Sequence, residues 1–250
     1  MKYIREDFYK TFKAGYCFSR EDLYEYFTQY EKDLNKNTFT WRIFELKKKN
    51  IIRTVGNNMY SISDKPEYKP LLNKEVTDTA KLLTASYESI EYCISETGWL
   101  NEFTVHQAFK SHIIVEVEKD IVESAYYYLK DNSDFEVFFE PDKKIIDYYV
   151  TESNNAVIVK KLITRSPVHL LKNIATPVLE KILVDLYRCP ELYYMYQGSE
   201  MVNIFRNSLQ KYPVNFTLLL SYSQRRGAKN GLKEFLKENF SDLTQGLIND

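Results

Sequence analysis

Charged side chains in residues 115–120, VEVEKD, form the group in this sequence best suited to catalysis. Glu116 and Glu118 would bind a divalent metal ion and Lys119 would assist an attacking water, as in metal-dependent nucleases. Strand alternation puts the two acids on one face and Lys119 on the other, whereas that chemistry needs the second acid and the lysine on the same side. A charged strand end explains these residues at least as well. Nuclease activity, with Asp142 as a third carboxylate, stays an alternative.

Other catalytic patterns are missing or incomplete in the sequence. His106, His112 and His169 lack the i, i+4 spacing of a helical zinc pair. There is no GxSxG, GxGxxG or Walker motif. Gly198-Ser199 matches the phosphate-binding Gly-Ser of nucleotidyltransferases, but the Asp-x-Asp pair that those enzymes need soon afterwards is absent. The sequence therefore predicts a protein that is not an enzyme and that needs no metal or cofactor.

Residues 37–63, NTFTWRIFELKKKNIIRTVGNNMYSIS, combine hydroxyl, amide and basic side chains of the kind that contact DNA. Near the N-terminal end of a helix in the major groove such side chains reach base edges, and elsewhere they contact phosphates. We expect Thr38, Thr40 and Arg42 to face bases, and Lys48, Arg53 and Asn57 to face phosphates. Replacing Arg42 by Ala is expected to cost about 1–3 kcal/mol of binding free energy and to relax sequence preference.

Two helices are predicted before this stretch. Residues 3–14 carry apolar side chains at helical spacing. Residues 19–30 form a second amphipathic helix, in which Ser19 is followed three residues later by Asp22, the pattern of a capping box.

A third helix and a β-hairpin follow within the stretch itself. The helix is capped by Asn37 or Thr38 and ends in three lysines, which suit the negative end of the helix dipole. Its predicted buried residues are Trp41, Phe44 and Leu46. The predicted strands are residues 51–55 and 59–62, joined by a turn at residues 56–58. Three helices and a hairpin in this order predict a winged helix-turn-helix, which also occurs as a module that binds only protein.

The charge distribution and the cysteines indicate where in the cell the protein is expected. Residues 1–65 contain 13 basic against 9 acidic residues, and the remainder 21 against 26, so a basic head precedes an acidic body. Cys17, Cys93 and Cys189 form no CxxC pair and are expected to be free thiols in a reducing compartment. The first ten residues have no apolar signal core, and no window is apolar enough for a membrane span. These features predict a cytoplasmic protein without a membrane partner.

The rest of the chain predicts a mixed α/β body with a helical C-terminal tail. We assign residues 1–65 to the winged helix, 66–78 to a linker and 79–250 to the body, which gives an α+β or α/β fold overall. Thr176 and Pro177 are expected to begin a helix that ends before Pro190. The predicted strands are residues 89–95, 112–118, 135–140, 144–150 and 155–163. The other predicted helices are residues 119–130, 197–211, 213–226 and 229–240.

The order of several motifs along the chain resembles that of the AbiEi-like antitoxins of abortive-infection, type IV toxin–antitoxin systems. The segments that carry the resemblance are TWRIFELKKKNII, NMYSI, TGWLNEFTVHQAF, VEVEKDIVESAYYYL, TPVLEKILVDLY and YPVNFTLLLSYSQRRG. The resemblance implies a transcriptional autoregulator that binds its own promoter DNA through the winged helix. It also implies a body that counters a nucleotidyltransferase-type toxin encoded alongside.

The resemblance assigns few residues beyond the winged helix. Thr38, Thr40, Arg42 and Arg53 carry over as DNA-facing positions. In the matching helix LEKILVDL, Glu180, Lys181 and Asp185 fit the motif, but we expect Lys181 and Asp185 to form an ion pair on the helix surface. Toxin-facing residues and the oligomeric state stay open, because a monomer on tandem sites and a dimer on a palindrome both fit the sequence.

Overall fold

The computed structural model describes residues 4–5, 7–13, 16–62, 65–87 and 89–244. Over these residues the chain is a mixed α+β protein that ends in helices, which confirms the coarse fold prediction. Two main apolar cores form within the described residues, one from residues 8–60 and one from residues 68–240. We call the part of residues 4–62 that is described the N-terminal module and residues 65–244 the body.

The N-terminal module contains three helices and a three-stranded antiparallel sheet. The strand order is β1-β3-β2, so the first strand pairs with the last strand of the hairpin. The elements are α1 (Phe8–Thr11), β1 (Cys17–Ser19), α2 (Arg20–Thr28), α3 (Lys36–Lys48), β2 (Arg53–Gly56) and β3 (Met59–Ser61). The helix expected over residues 3–14 is a single turn within Phe8–Thr11, and residues 3, 6 and 14 of that prediction lie outside the described residues.

Local capping sets where the next two helices begin. The capping box predicted at α2 is confirmed. Ser19 Oγ accepts from the backbone N–H of Asp22 at 3.0 Å, and the Asp22 carboxylate accepts from the backbone N–H of Ser19. The cap of α3 is Asn35 and not Asn37 or Thr38, since the Asn35 side chain accepts from the N–H of Asn37 at 2.7 Å. The helix therefore starts earlier than the sequence suggests.

The predicted buried side of α3 is wrong for two of its three residues. Leu46 is buried as expected, together with Phe39 and Ile43 at spacings of four and three residues. Trp41 is 54% exposed and Phe44 is 59% exposed. Trp41 follows Phe39 by two residues, which at 3.6 residues per turn turns it to the opposite side of the helix.

The body is built on a four-stranded mixed sheet in the order β4-β5-β7-β6. Strands β5, β7 and β6 run parallel, and β4 is antiparallel to β5 at one edge. The strands, all predicted from the sequence, are β4 (Tyr92–Glu96), β5 (Ile113–Val117), β6 (Glu136–Phe139) and β7 (Ala156–Lys161). Helices α4 (Lys74–Ser86) and α5 (Val122–Asn132) pack against this sheet, α5 being the crossover from β5 to β6.

The strand predicted over residues 144–150 is wrong, because this segment is helical. It comprises α6 (Lys143–Ile145) and a π-helical turn, Ile146–Val150. Asp142 begins it by accepting the Ile145 N–H at 2.8 Å, so this carboxylate is a helix cap. Only Ile146 and Val150 are buried, and a spacing of four residues is a helical period.

The start predicted for the next helix is also wrong. Thr176 and Pro177 belong to strand β9 (Ile174–Pro177), which pairs with β8 (Val168–Leu171) in a hairpin that the sequence analysis missed. Strand β9 belongs to a two-stranded sheet and is therefore an edge strand, where the missing N–H of Pro177 is tolerated. Helix α7 (Leu179–Arg188) begins two residues later and ends before Pro190, as expected.

The three C-terminal helices are confirmed with small shifts at their ends. They are α8 (Ser199–Lys211), α9 (Phe216–Arg225) and α10 (Lys229–Thr244). The predicted linker, residues 66–78, is packed onto the body, because Tyr68 and Val76 are buried in the body core and α4 already begins at Lys74. Among the described residues no helix has the length and apolarity to cross a membrane.

A buried ion cluster joins the sheet to the C-terminal helices. Lys181 Nζ lies 2.5 Å from Glu116 Oε2 of β5 and 2.5 Å from Asp185 Oδ2 of α7. Arg226 Nε, just after α9, lies 3.2 Å from Asp185 Oδ1, and Lys160 Nζ of β7 lies 3.5 Å from Glu116 Oε1. The Lys181–Asp185 pair is thus confirmed, but its surface location is wrong, since Lys181 is only 1% exposed.

The charges of this cluster depend on one another. Burial favours a lower pKa for Lys181, but the Asp185 and Glu116 carboxylates outweigh it and hold the pKa well above the usual value. Burial favours a higher pKa for Asp185, and the neighbouring Lys181, Lys160 and Arg226 hold that pKa below its usual value. Both groups therefore stay charged at neutral pH, and removing one leaves its partner buried with only part of its compensating charge.

We expect Lys181→Ala to lower the free energy of unfolding by about 3–5 kcal/mol, because Glu116 and Asp185 would remain buried with only Lys160, at 3.5 Å, and Arg226, at 3.2 Å, to offset their charges. Lys81→Ala is the matched control: its ion pair with Asp78 is on the surface, the lysine side chain is 73% exposed, and a loss of about 0–1 kcal/mol is expected. Urea denaturation of both variants measures the difference. Equal losses would contradict a stabilising role for the cluster.

Candidate functional site

The outward face of α3 is the part of the module that its own core leaves uncovered. Phe39, Ile43 and Leu46 face inward. By helical periodicity the opposite side of the helix carries Asn37, Trp41, Phe44 and Lys48, all of which are exposed. Lys47 and Lys49 extend the positive charge at the same end of the helix. This surface, which we call the α3 face, combines flat aromatic rings with cations.

Arg20, at the start of α2, connects the α3 face to the hairpin turn. Its backbone N–H donates to Asn58 O at 2.8 Å, and its Nη2 donates to Thr40 Oγ1 at 2.7 Å. Asn58 has a φ of 52°, a left-handed conformation that asparagine tolerates and that closes the turn between β2 and β3. Asn57 is exposed beside it. The turn and α3 are thus held together by one residue.

Four of the six side chains expected to contact DNA are exposed on α3 or on the hairpin turn. Thr38 and Lys48 are exposed on α3 and Asn57 on the turn. Thr40 is exposed as well, but its hydroxyl already donates to Lys36 O at 2.9 Å and accepts from Arg20. Only the second lone pair of that hydroxyl is left for another donor.

Arg42 does not project outward as expected. Its side chain is 12% exposed, and its Nη2 lies 2.5 Å from Glu31 Oε2. The guanidinium lies 5.4 Å from the centroid of the Phe27 ring. Arg42 therefore links α3 to the segment between α2 and α3, and its contact with a base stays a prediction.

Arg53 lies on β2 and not on the α3 face. It lines a cavity between the module and the body, together with His169 and Glu180 of the body. In the part of the chain that the structure describes, its Nε is buried without a hydrogen-bond partner. The contact of Arg53 with phosphate stays a prediction.

The remaining surface can bind a polyanion with aromatic contacts. Lysines pair with phosphates at little geometric cost, because an ammonium is a compact charge on a flexible stem. Trp41 and Phe44 offer apolar contact to thymine methyl groups or a stacking surface for bases. Sequence reasoning missed both aromatics and Arg20. The 39–43–46 spacing of the buried residues was the signal that would have identified the exposed ones.

The acids of the nuclease alternative are not brought together. Glu116 is held by Lys181 and Lys160 in the buried cluster, and Glu118 accepts the N–H of Glu91 at 2.7 Å. Asp142 caps α6. Across the described ranges, no three His, Cys, Asp or Glu side chains are placed to hold a metal ion. Each carboxylate thus has a structural partner of its own.

We expect Arg42 and Glu31 to couple in stability. A double-mutant cycle with Arg42→Ala, Glu31→Ala and the double variant should give a coupling free energy of about 0.5–1 kcal/mol, because one partner is half-exposed and screened by solvent. Thermal or urea unfolding of the four proteins measures it. Strictly additive losses would show that the pair does not hold Arg42 inward.

The sequence was also compared with known proteins. No curated protein matches it. The model of a family described as a family of unknown function, DUF6577, matches residues 38–242, from the first turn of α3 to α10. This match covers most of the 250 residues. The chain therefore belongs to the DUF6577 family.

Proposed function

We propose that the N-terminal module is a winged helix-turn-helix that binds DNA, and that the protein is a transcriptional autoregulator acting on its own promoter in the cytoplasm. The observation that carries the proposal is the α3 face, where Trp41, Phe44 and Lys48 are exposed although the module has an apolar core of its own. The element order also supports it, since two helices and a hairpin of antiparallel strands follow α1 and β1.

In this proposal α3 enters the major groove of duplex DNA. Asn37, Thr38 and Trp41 lie toward the N-terminal half of the helix, where side chains reach base edges. Lys48 and Asn57 contact the phosphates on either side and set affinity and not sequence preference. Arg42 acts indirectly, by fixing α3 against Glu31. No metal or cofactor takes part, and the protein acts by binding and not by catalysis.

Binding should be tight on the protein's own upstream DNA and should weaken steeply with salt. Removing one lysine–phosphate pair should reduce the slope of log K against log [salt] by about 0.9. We therefore expect Lys48→Ala to reduce the slope by this amount. Fluorescence anisotropy at several salt concentrations, with unrelated DNA as competitor, measures both the affinity and the slope.

Two further variants make this test specific. Lys130→Ala removes the same charge from the exposed surface of α5 on the body and should leave the slope unchanged. Trp41→Ala should weaken binding by about 1–3 kcal/mol, as expected when a base contact is removed, with little effect on folding because the ring is exposed. If Lys48→Ala and Lys130→Ala behave alike, or the DNA sequence makes no difference, the proposed docking is wrong.

The resemblance to AbiEi-like antitoxins extends the proposal to the body, which we infer counters a nucleotidyltransferase-type toxin by direct contact. A specific surface favours a protein partner there. Beside β6, an edge strand of the sheet, large apolar side chains are exposed. They are Phe139, Ile145, Tyr148 and Tyr149. Exposed aromatic side chains next to a strand edge are typical of an interaction surface.

Co-expression with a nucleotidyltransferase-type protein encoded beside the gene should give a complex that co-purifies. Tyr148→Ser combined with Tyr149→Ser should weaken that complex at least about tenfold, since buried aromatic contacts dominate interface energies. Leu170→Ser, which changes an equally exposed apolar residue of β8, is the control. A complex that survives the tyrosine changes would place the toxin elsewhere, and failure to co-purify would remove the antitoxin role.

A further inference from the structure

The outer edge of β6 is a free strand edge of the body sheet. The strand order β4-β5-β7-β6 leaves β6 paired on one side only, in parallel with β7. None of the four residues of β6 is buried, whereas the first four residues of β7 all are. Unpaired N–H and C=O groups along such an edge are a template for pairing with another chain.

The register of β6 on β7 shows which backbone groups point outward. Glu140, just after the strand, donates its N–H to Val159 O at 2.9 Å, and Phe139 is the residue paired with Val159. In a parallel ladder, residues that bond to one neighbour alternate with residues whose N–H and C=O point away from it. Glu140 and Phe138 therefore bond to β7, and Val137 and Phe139 present their backbone groups outward. Within the described residues no hydrogen bond from elsewhere in the chain reaches these outward groups.

A cavity of about 460 Å³ borders the same strand. One wall includes Lys130 of α5, the helix that packs on the face of the sheet formed by Val157 and Val159. Another wall consists of Tyr148 and Tyr149 of the π-helical turn, which packs on the opposite face of the sheet. Because the cavity touches elements on both faces, it lies at the edge between them. A chain that pairs with β6 would therefore place its side chains in this cavity.

The side chains around this edge carry an excess of negative charge. Residues 130–152 contain seven acidic and three basic residues, a net charge of −4. All seven acidic residues are exposed, and among the residues that the structure describes none of them forms an ion pair with a basic side chain. Complementary charges orient association and suppress wrong partners, so the edge suits a basic segment. A second copy of this chain would bring the same acidic residues to the edge and would be repelled.

We propose that an extended, basic segment of a partner protein adds as a fifth strand to the outer edge of β6. Its backbone pairs with the outward N–H and C=O groups of Val137 and Phe139. Its basic side chains lie beside Glu136 and the neighbouring acids, and its apolar side chains contact Tyr148 and Tyr149. Backbone pairing supplies affinity in this mode of recognition, and the side-chain contacts supply specificity. The inference names how the surface assigned above to a toxin holds its partner, and it rests on that proposed function for the identity of the partner.

Fluorescence anisotropy of labelled peptides titrated with the full chain tests the proposal. The probe is a peptide of about nine residues in which lysine alternates with valine, a pattern that favours an extended strand. One control has glutamate in place of each lysine, and a second keeps the lysines but has proline at the two central valines. The lysine probe should bind with a Kd below about 100 µM, at least about tenfold more tightly than either control. No binding at about 1 mM, or equal binding of either control, overturns the proposal.

Two substitutions of one edge residue separate backbone pairing from attraction by charge. Val137→Pro removes an outward N–H and leaves the charge of the surface unchanged, and an edge strand tolerates proline where the N–H would face solvent. It should weaken binding of the lysine probe about tenfold, whereas Val137→Thr, which keeps the N–H, should change it less than about twofold. Equal binding by the two variants, both shown to be folded by circular dichroism, overturns the proposal.

A second matched pair keeps the test decisive if Val137→Pro does not fold. Glu136→Lys reverses an exposed charge on β6 and should weaken binding of the lysine probe about fivefold. Glu238→Lys makes the same change on the exposed surface of α10 and should have no such effect. Equal effects of the two charge reversals would mean that the peptide binds elsewhere.

The co-expression experiment with Val137→Pro separates this proposal from the antitoxin role. A toxin complex that survives this substitution overturns strand addition and leaves the antitoxin role in place. Binding of the lysine probe that is lost in Val137→Pro supports strand addition even if no toxin co-purifies, and in that case only the antitoxin role is removed.

Discussion

The contact of Lys181 with Glu116 and Asp185 is the constraint on which the body depends. A lysine that is 1% exposed must be neutralised where it lies, so the sheet and α7 have to meet at the position where both carboxylates reach its ammonium group. Arg226 extends this requirement to the end of α9. A purely apolar interface would tolerate sliding of the helices, whereas paired buried charges lose their compensation when displaced.

That constraint also bears on function. Glu116 belongs to the segment whose residues are best suited to catalysis in the sequence. In the folded chain, however, its carboxylate forms ion pairs with two lysines. The charged side chain at the centre of VEVEKD thus serves the architecture of the body. The surface that the module's own core does not cover lies on α3, where aromatic and cationic side chains face outward.

Elements with strong local signals were predictable, and elements that depend on context were not. The capping box at Ser19 and the strands β5 and β7 were found because their hydrogen bonds or their apolar runs are local. Residues 144–150 were mistaken for a strand, since a short apolar run has no clear period until the Asp142 cap and the buried pair Ile146 and Val150 are known. Thr176-Pro177 resembles a helix start, but pairing with β8 outweighs that local preference.

By itself the sequence determined which residue types α3 carries, that a hairpin follows it, and that the N-terminal part is basic. Only the tertiary structure decided which of those side chains are available. Arg42 is drawn inward because Glu31 and Phe27 lie beside it, and Arg53 faces the body because β2 borders the cavity. Periodicity tells which residues share one side of an element. It does not tell which side a neighbour covers, because that depends on packing between segments far apart in the chain.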